Sequence, residues 1–175
     1  MKKFVVVGST GAGKSTFARA LSKKLNISHI ELDNISRIPG GKSRSTQELR
    51  DLVIKATVTP QWIVCGNYPA LKDIILDRAD VIVWLDYPFF ICFWQTLKRS
   101  FKHIIKREKY SNGDRETFVR LFFSKDSILV YLIKTFRQRN KRYAAMMQDP
   151  FYKDKTFIRL KSHRQAKKCL WQIDI

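Results

Sequence analysis

Gly8-Ser9-Thr10-Gly11-Ala12-Gly13-Lys14-Ser15 fits the pattern G-x-x-x-x-G-K-[ST] at every fixed position. Just before it, Phe4-Val5-Val6-Val7 is an apolar run suited to a parallel strand buried on both faces. Just after it, Phe17, Ala18, Leu21 and Leu25 recur at helical spacing. Strand, glycine loop and helix, in that order, is the setting in which the pattern has chemical meaning. The glycines let the backbone turn its N–H groups inward around a phosphate, and the following helix aims its positive end at the same anion. Gly8, Ser9, Thr10, Gly11, Ala12, Gly13, Lys14, Ser15 and Thr16 are therefore the expected nucleotide-binding set. Lys14 is expected to reach the β- and γ-phosphates, the Ser15 hydroxyl to hold Mg²⁺, and Thr16 to sit near the α-phosphate.

A chain of 175 residues with 45% apolar content suits one domain, residues 1–175, with a substantial core. Three cysteines (Cys65, Cys92, Cys169) show neither metal spacing nor a paired framework, which fits the reducing cytoplasm. The N-terminal apolar run is too short for a signal peptide, and no stretch reaches the roughly 18 apolar residues of a membrane span. The formal charge of +19 is concentrated late: Lys98 to Lys168 holds 21 Lys/Arg against 6 Asp/Glu, a balance of +15. Two readings of that excess stand. One is a solvated surface plus a lid that grips phosphates; the other is a nucleic-acid-binding face. No helix-turn-helix, zinc or RNA-binding signature accompanies it.

Along the chain, residues 2–7 are the first strand and 14–25 the first helix, stopped at Asn26. Ser28 to Asp33 reads as a short second strand ending in Asp33, which either faces the ligand side at the carboxyl end of an open parallel sheet or simply caps the following turn. The ligand side is favoured because the first strand's carboxyl end is already the phosphate site. Arg37 to Arg44 is a basic, glycine-containing loop, read equally as an anion-holding segment or a plain surface loop. Ser45 or Thr46 then caps a helix to about Thr57. Gln61 to Tyr68 is the third strand and its exit, and Pro69 to Asp77 a short helix. Ala79 to Asp86 is a fourth, fully buried strand, and Pro88 opens a long helix to about Lys106. Arg99, Lys102, Lys106, Arg107, Lys109 and Arg115 surround turn residues at 110–114, which predicts either an arginine lid or a basic solvent face. Thr117 to Met147 is helical with a break near Ser124–Ser127. Lys155 to Leu160 is the fifth strand, and Ser162 caps a last helix. Strand and helix alternate five times, which predicts an α/β three-layer fold around a parallel sheet.

With these elements placed, the chain resembles the adenylate-kinase-like P-loop proteins of bacteria, and among them the group called DNA topology modulation (FlaR-type) proteins. The residues that carry the resemblance are Gly8–Thr16, Glu31-Leu32-Asp33, Trp62 to Tyr68, Arg78-Ala79-Asp80, Val83-Trp84-Leu85-Asp86, Asn112 with Glu116-Thr117, Phe122 to Ser127, and Arg159 to Ser162. The resemblance covers about the whole length. It implies a P-loop kinase fold, a five-stranded parallel sheet in the order 2-3-1-4-5 with helices on both faces and a helical lid. It implies a substrate-binding segment at 34–59 and a lid at 99–114, with Arg99, Arg107 and Arg115 as lid arginines. Lys14, Asp33 and these arginines are then the catalytic candidates. Asp33, Arg37, Asn67, Tyr68 and Arg78 are the acceptor-binding ones, and Lys161, Ser162 and His163 lie near the adenine. One departure stands out: the relatives carry an Asp, which orders a water on Mg²⁺, where this chain has Cys65. A thiol is a poor outer-shell partner for that ion, so Asp33 takes over or catalysis is weak; Asp86, at the end of strand four, is a lesser substitute.

The leading expectation is a phosphotransferase that uses ATP and Mg²⁺ to phosphorylate a small acceptor, a nucleotide among the candidates. The alternative is a weakly hydrolysing ATP-binding regulator whose basic half binds nucleic acid. A GTPase switch is disfavoured because no Asn-Lys-x-Asp stretch is present.

Overall fold

A computed structural model describes residues 2–38, 43–105 and 127–173. Its centre is a five-stranded, fully parallel sheet in the order β2-β3-β1-β4-β5. The strands are β1 (Lys3–Gly8), β2 (His29–Glu31), β3 (Trp62–Cys65), β4 (Val81–Leu85) and β5 (Thr156–Leu160). The helices are α1 (Lys14–Leu25), α2 (Leu32–Ser36), α3 (Thr46–Ala56), α4 (Lys72–Arg78), α5 (Phe89–Ile105), α6 (Ile128–Gln148) and α7 (His163–Gln172). This is the α/β fold and strand order expected from the sequence.

β1 lies mid-sheet, with Phe4 level with Ile63 of β3 and Val81 of β4. Its side chains alternate between two cores, as a central strand must. Phe4 and Val6 pack with Phe17, Leu21 and Leu25 of α1, Cys92 of α5, Leu132 of α6 and Ala166 of α7. Val5 and Val7 pack on the opposite face with Val53 of α3, Ile75 of α4, and Tyr143 and Met146 of α6. The helix α6 thus touches one core through Leu132 and the other through Tyr143, and crosses the carboxyl ends of the strands in between. That crossing puts its middle directly over the glycine loop.

Local chemistry sets the helix ends. Ser45 caps α3 through a reciprocal box, its Oγ accepting from Glu48 N at 3.2 Å while Glu48 accepts from Ser45 N at 2.9 Å. Ser127 caps α6 and Ser162 caps α7 by the same kind of bond. Asn26 ends α1 in a left-handed conformation, φ 54°.

One boundary differs from the sequence expectation. The second strand stops at Glu31, and Asp33 lies in the first turn of α2 rather than on a strand. The chain folds back there because Leu32 turns into the core against Gly66, whose added Cβ would lie 2.8 Å from that of Leu32. Glu31, and not Asp33, therefore occupies the carboxyl end of β2.

Candidate functional site

The glycine loop leaves β1 through Gly8 (φ 148°) and turns through Gly11 (φ 78°) and Gly13 (φ 83°). α5 backs it closely: a Cβ on Gly11 would lie 2.2 Å from Thr96 Oγ1 and 2.3 Å from Cys92 O. Thr96 is held there by its own bond to Cys92 O, 2.8 Å. The ammonium of Lys14 donates to Ser9 O at 3.0 Å, across the mouth of the loop. Burial, seconded by the charge of Arg139, pulls the Lys14 pKa down to about 8; Asp33 and Cys65 oppose the fall. Arg99 is near enough to push in the same direction as Arg139. A triphosphate in the loop restores the charged form. We therefore expect proton uptake on ATP binding near pH 8, read as a dependence of the calorimetric binding enthalpy on the ionisation enthalpy of the buffer.

Beside Lys14, the Ser15 hydroxyl donates to the Glu31 carboxylate. Cys65 Sγ lies 3.8 Å from Ser15 Oγ and 3.1 Å from His29 Nε2. Burial pushes the Cys65 thiol up to about 11, so it is a neutral thiol in the free protein. Among the described residues no three His, Cys, Asp or Glu side chains form a metal site. A hydroxyl with one carboxylate beside it suits Mg²⁺, which keeps most of its waters and completes its shell with substrate phosphates. The sequence reading passed over Glu31 as a candidate; its signal was available, an acid at the carboxyl end of a strand next to the loop-bearing one.

On the other side of the loop, Asn67 donates from Nδ2 to Gly8 O at 2.6 Å and accepts from Tyr143 OH at 2.7 Å. Tyr68 OH donates to Asp33 Oδ1 at 3.0 Å and is 2.5 Å from Ser36 Oγ. Arg37 follows α2 in extended conformation, and its charge reaches Tyr68. Asp33, Arg37, Asn67 and Tyr68 are thus brought together on the flank expected for the acceptor. Arg78 is not. It ends α4 just before β4, at the amino ends of the strands and so away from the loop, and donates to Thr57 Oγ1 at 3.0 Å, pinning the end of α3. Asp86 is engaged as well, by Arg159 at 2.6 Å with that guanidinium stacked 4.6 Å from the Trp84 ring. His163 lies 2.5 Å from Gln95 Nε2 and edge-on to Tyr87, and Gln95 adjoins Gly13. Arg107 and Arg115 lie outside the described residues, as does most of the 99–114 segment.

α6 supplies what the sequence reading did not single out. Arg139 donates to Thr10 Oγ1 at 3.4 Å and to Tyr131 OH, over whose ring it also sits. Ser9 Oγ donates to Asn140 Oδ1 at 3.4 Å. With Tyr143 acting through Asn67, one helix face grips Gly8, Ser9 and Thr10 in succession. No local signal marks that face; only the helix crossing places it. Below it opens a cavity of about 100 Å³, lined by Asn67, Tyr68, Arg139 and Tyr143 among others.

A parallel sheet in this order, with a glycine loop leading from its central strand into a helix, defines a P-loop kinase fold. The 1.7 Å crystal structure of shikimate kinase from Bacteroides thetaiotaomicron superposes with a TM-score of 0.56 at 18% identity, covering 98% of this chain and 95% of that one. In sequence, the chain is 34% identical over 91 residues to the uncharacterized protein YqaC of Bacillus subtilis, a match to 50% of this chain and 51% of YqaC. The chain thus spans about half the length of that curated relative. No protein-family model matches. No helix among the described residues is long and apolar enough to cross a membrane.

Proposed function

We propose that this protein is an ATP-dependent phosphotransferase of the cytoplasm that moves the γ-phosphoryl group to a small acceptor. The observation that carries the reading is the position of Arg139, which contacts the glycine loop at Thr10 and also walls the cavity on the acceptor flank. A group placed there sees both the phosphoryl being transferred and the molecule receiving it. Lys14, Arg99 and Arg139 neutralise charge that spreads over the transferring group, and Asp33 with Tyr68 orients the acceptor hydroxyl. Arg107 and Arg115 complete this set as lid arginines. Ser15 would hold the metal and Glu31 would order its water shell, in the role that the resemblance gives to an Asp at position 65. A magnesium ion held there would supply positive charge to offset that of the phosphates. The kinship with the topology-modulation group is part of this proposal and rests on the Gly66-Asn67-Tyr68 and Trp84-Leu85-Asp86 segments.

ATP consumption by wild type and by Cys65→Asp, with and without a pool of nucleoside monophosphates and small hydroxy compounds, tests the reading. Stimulation of the wild type by the pool supports it; a flat rate in both proteins with every acceptor sinks it. Glu31→Gln is expected to raise the Mg²⁺ concentration needed for half-maximal turnover by about 10- to 100-fold, as loss of an outer-shell partner does. An unchanged Mg²⁺ titration would remove Glu31 from the metal shell.

A second reading is favoured by one observation: β5, α6, α7 and their connections carry Asp149 and Asp154 as their only acids, against twelve lysines and arginines between residues 127 and 173. In that reading the protein is an ATP-binding regulator whose basic half holds nucleic acid. It requires retention on DNA or RNA that falls steeply with salt. Absence of retention at low salt rejects it.

A further inference from the structure

The cavity beside the glycine loop has an uneven chemistry. Its floor is apolar, built from Val5, Val64, Ile75 and Met146, and Tyr68, Tyr131 and Tyr143 stand around it. Its charged lining is Lys72, Arg139 and Arg142, with no carboxylate among the described lining residues. Three cations with no lining acid is an electrostatic preference for an anion. The three are not equivalent. Arg139 is already committed to Thr10 and Tyr131, on the triphosphate side. Lys72 is drawn over the Tyr152 ring, 5.6 Å from its centre. Arg142 makes no ion pair or hydrogen bond among the described residues. It lies three residues beyond Arg139 on the same face of α6, next to Tyr143, at the cavity rim. An open volume of about 100 Å³ corresponds to roughly three waters at about 30 Å³ each, which leaves room for no more than a single ring, its substituents directed to the open mouth.

We propose that the acceptor is a small organic anion with a single flat or apolar ring, its ring among the tyrosines and its carboxylate or phosphate on Arg142. This rests on the phosphotransferase reading for the word acceptor, but the binding preference stands on the cavity alone. A guanidinium with no hydrogen-bond or ion-pair partner among the described residues suits a planar or tetrahedral oxyanion, which it holds by paired N–H donors. The apolar floor has nothing to offer a polyhydroxylated neutral compound, whose hydroxyls would lose water without replacement.

Isothermal titration of wild type tests this with three probes that share one ring: phenyl phosphate, benzoate and benzyl alcohol. A non-hydrolysable ATP analogue with Mg²⁺ is present throughout, so that the glycine loop is filled. Binding of either anion, with benzyl alcohol at least ten times weaker, is expected; the stronger of the two anions tells phosphate from carboxylate. Arg142→Gln is expected to weaken the anion by about 10- to 100-fold, the loss of a charge-assisted bond, and Arg142→Lys to recover part of it. Equal binding of benzyl alcohol, no binding of any probe, or an unchanged affinity in Arg142→Gln overturns the inference. The two proposals fail separately. Anion binding without acceptor-stimulated ATP turnover defeats the phosphotransferase and leaves the anion site. Turnover stimulated only by neutral acceptors defeats the anion site and leaves the phosphotransferase.

Discussion

Replacing Gly11 with alanine is expected to lower folding stability by about 2–5 kcal/mol and to abolish triphosphate binding. Two penalties combine. The residue sits at φ 78°, where an L side chain is strained, at a cost of about 1–2 kcal/mol. The added methyl would also lie 2.2 Å from Thr96 Oγ1 and 2.3 Å from Cys92 O. The latter is backbone in the first turns of α5, and neither partner can retreat, because Thr96 and Cys92 are fully buried in the core behind the loop. Overpacking a rigid neighbour adds about 1–3 kcal/mol. For a protein of this size the melting temperature should fall by about 4–20 °C. Gly13→Ala is the control. Its φ of 83° brings the same strain, but its methyl meets only Gln95 Oε1, at 3.9 Å. Its loss should stay near 1–2 kcal/mol. Thermal melts of the two variants decide it: equal losses would mean that α5 does not buttress the loop as described.

Lys14→Met is expected to reduce turnover of ATP by about 10²–10³-fold while leaving the melting temperature at pH 7 unchanged or higher. The rate loss follows from removing a buried cation that reaches into the loop and donates to Ser9 O. The stability result follows from its depressed pKa of about 8, caused first by burial and then by Arg139. A lysine whose folded pKa lies below its ordinary value binds fewer protons folded than unfolded. Its contribution therefore opposes folding below about 8 and is relieved as the pH rises from there towards 10.5. Wild type should gain stability from this group across that window, and Lys14→Met should lack the gain. Activity lost together with stability would mean that Lys14 is a structural residue. Activity lost alone marks a group held in an unfavourable state for its chemistry.

Much of this was legible in the chain because it is local. The phosphate loop is eight consecutive residues between a strand and a helix. The helix caps at Ser45 and Ser162 are read from the residues beside them, and β4 is a continuous apolar run. Alternation of such segments leaves few topologies open, since parallel crossovers have one hand. What the chain by itself determined is therefore the fold class, the strand order through its resemblance, the loop and its Lys14–Ser15 pair. The errors of placement occurred where a tertiary contact overrode a local pattern. Ser28–Asp33 reads as one strand, but Leu32 is taken by the core against Gly66, so the strand ends on Glu31 and Asp33 turns toward Tyr68. Arg78 adjoins a motif segment, yet its helix delivers it to the amino ends of the strands, opposite the loop. Only the tertiary structure decided that Glu31 stands beside Ser15, and that α6 lays Arg139, Asn140, Arg142 and Tyr143 over the loop and the cavity. Glu31 lies 16 positions from Ser15, Tyr143 76 from Asn67, and Arg139 and Asn140 about 130 from Thr10 and Ser9. Nothing in a helix's own spacing states which face meets a loop so far away; that is set by how the helix crosses between two cores.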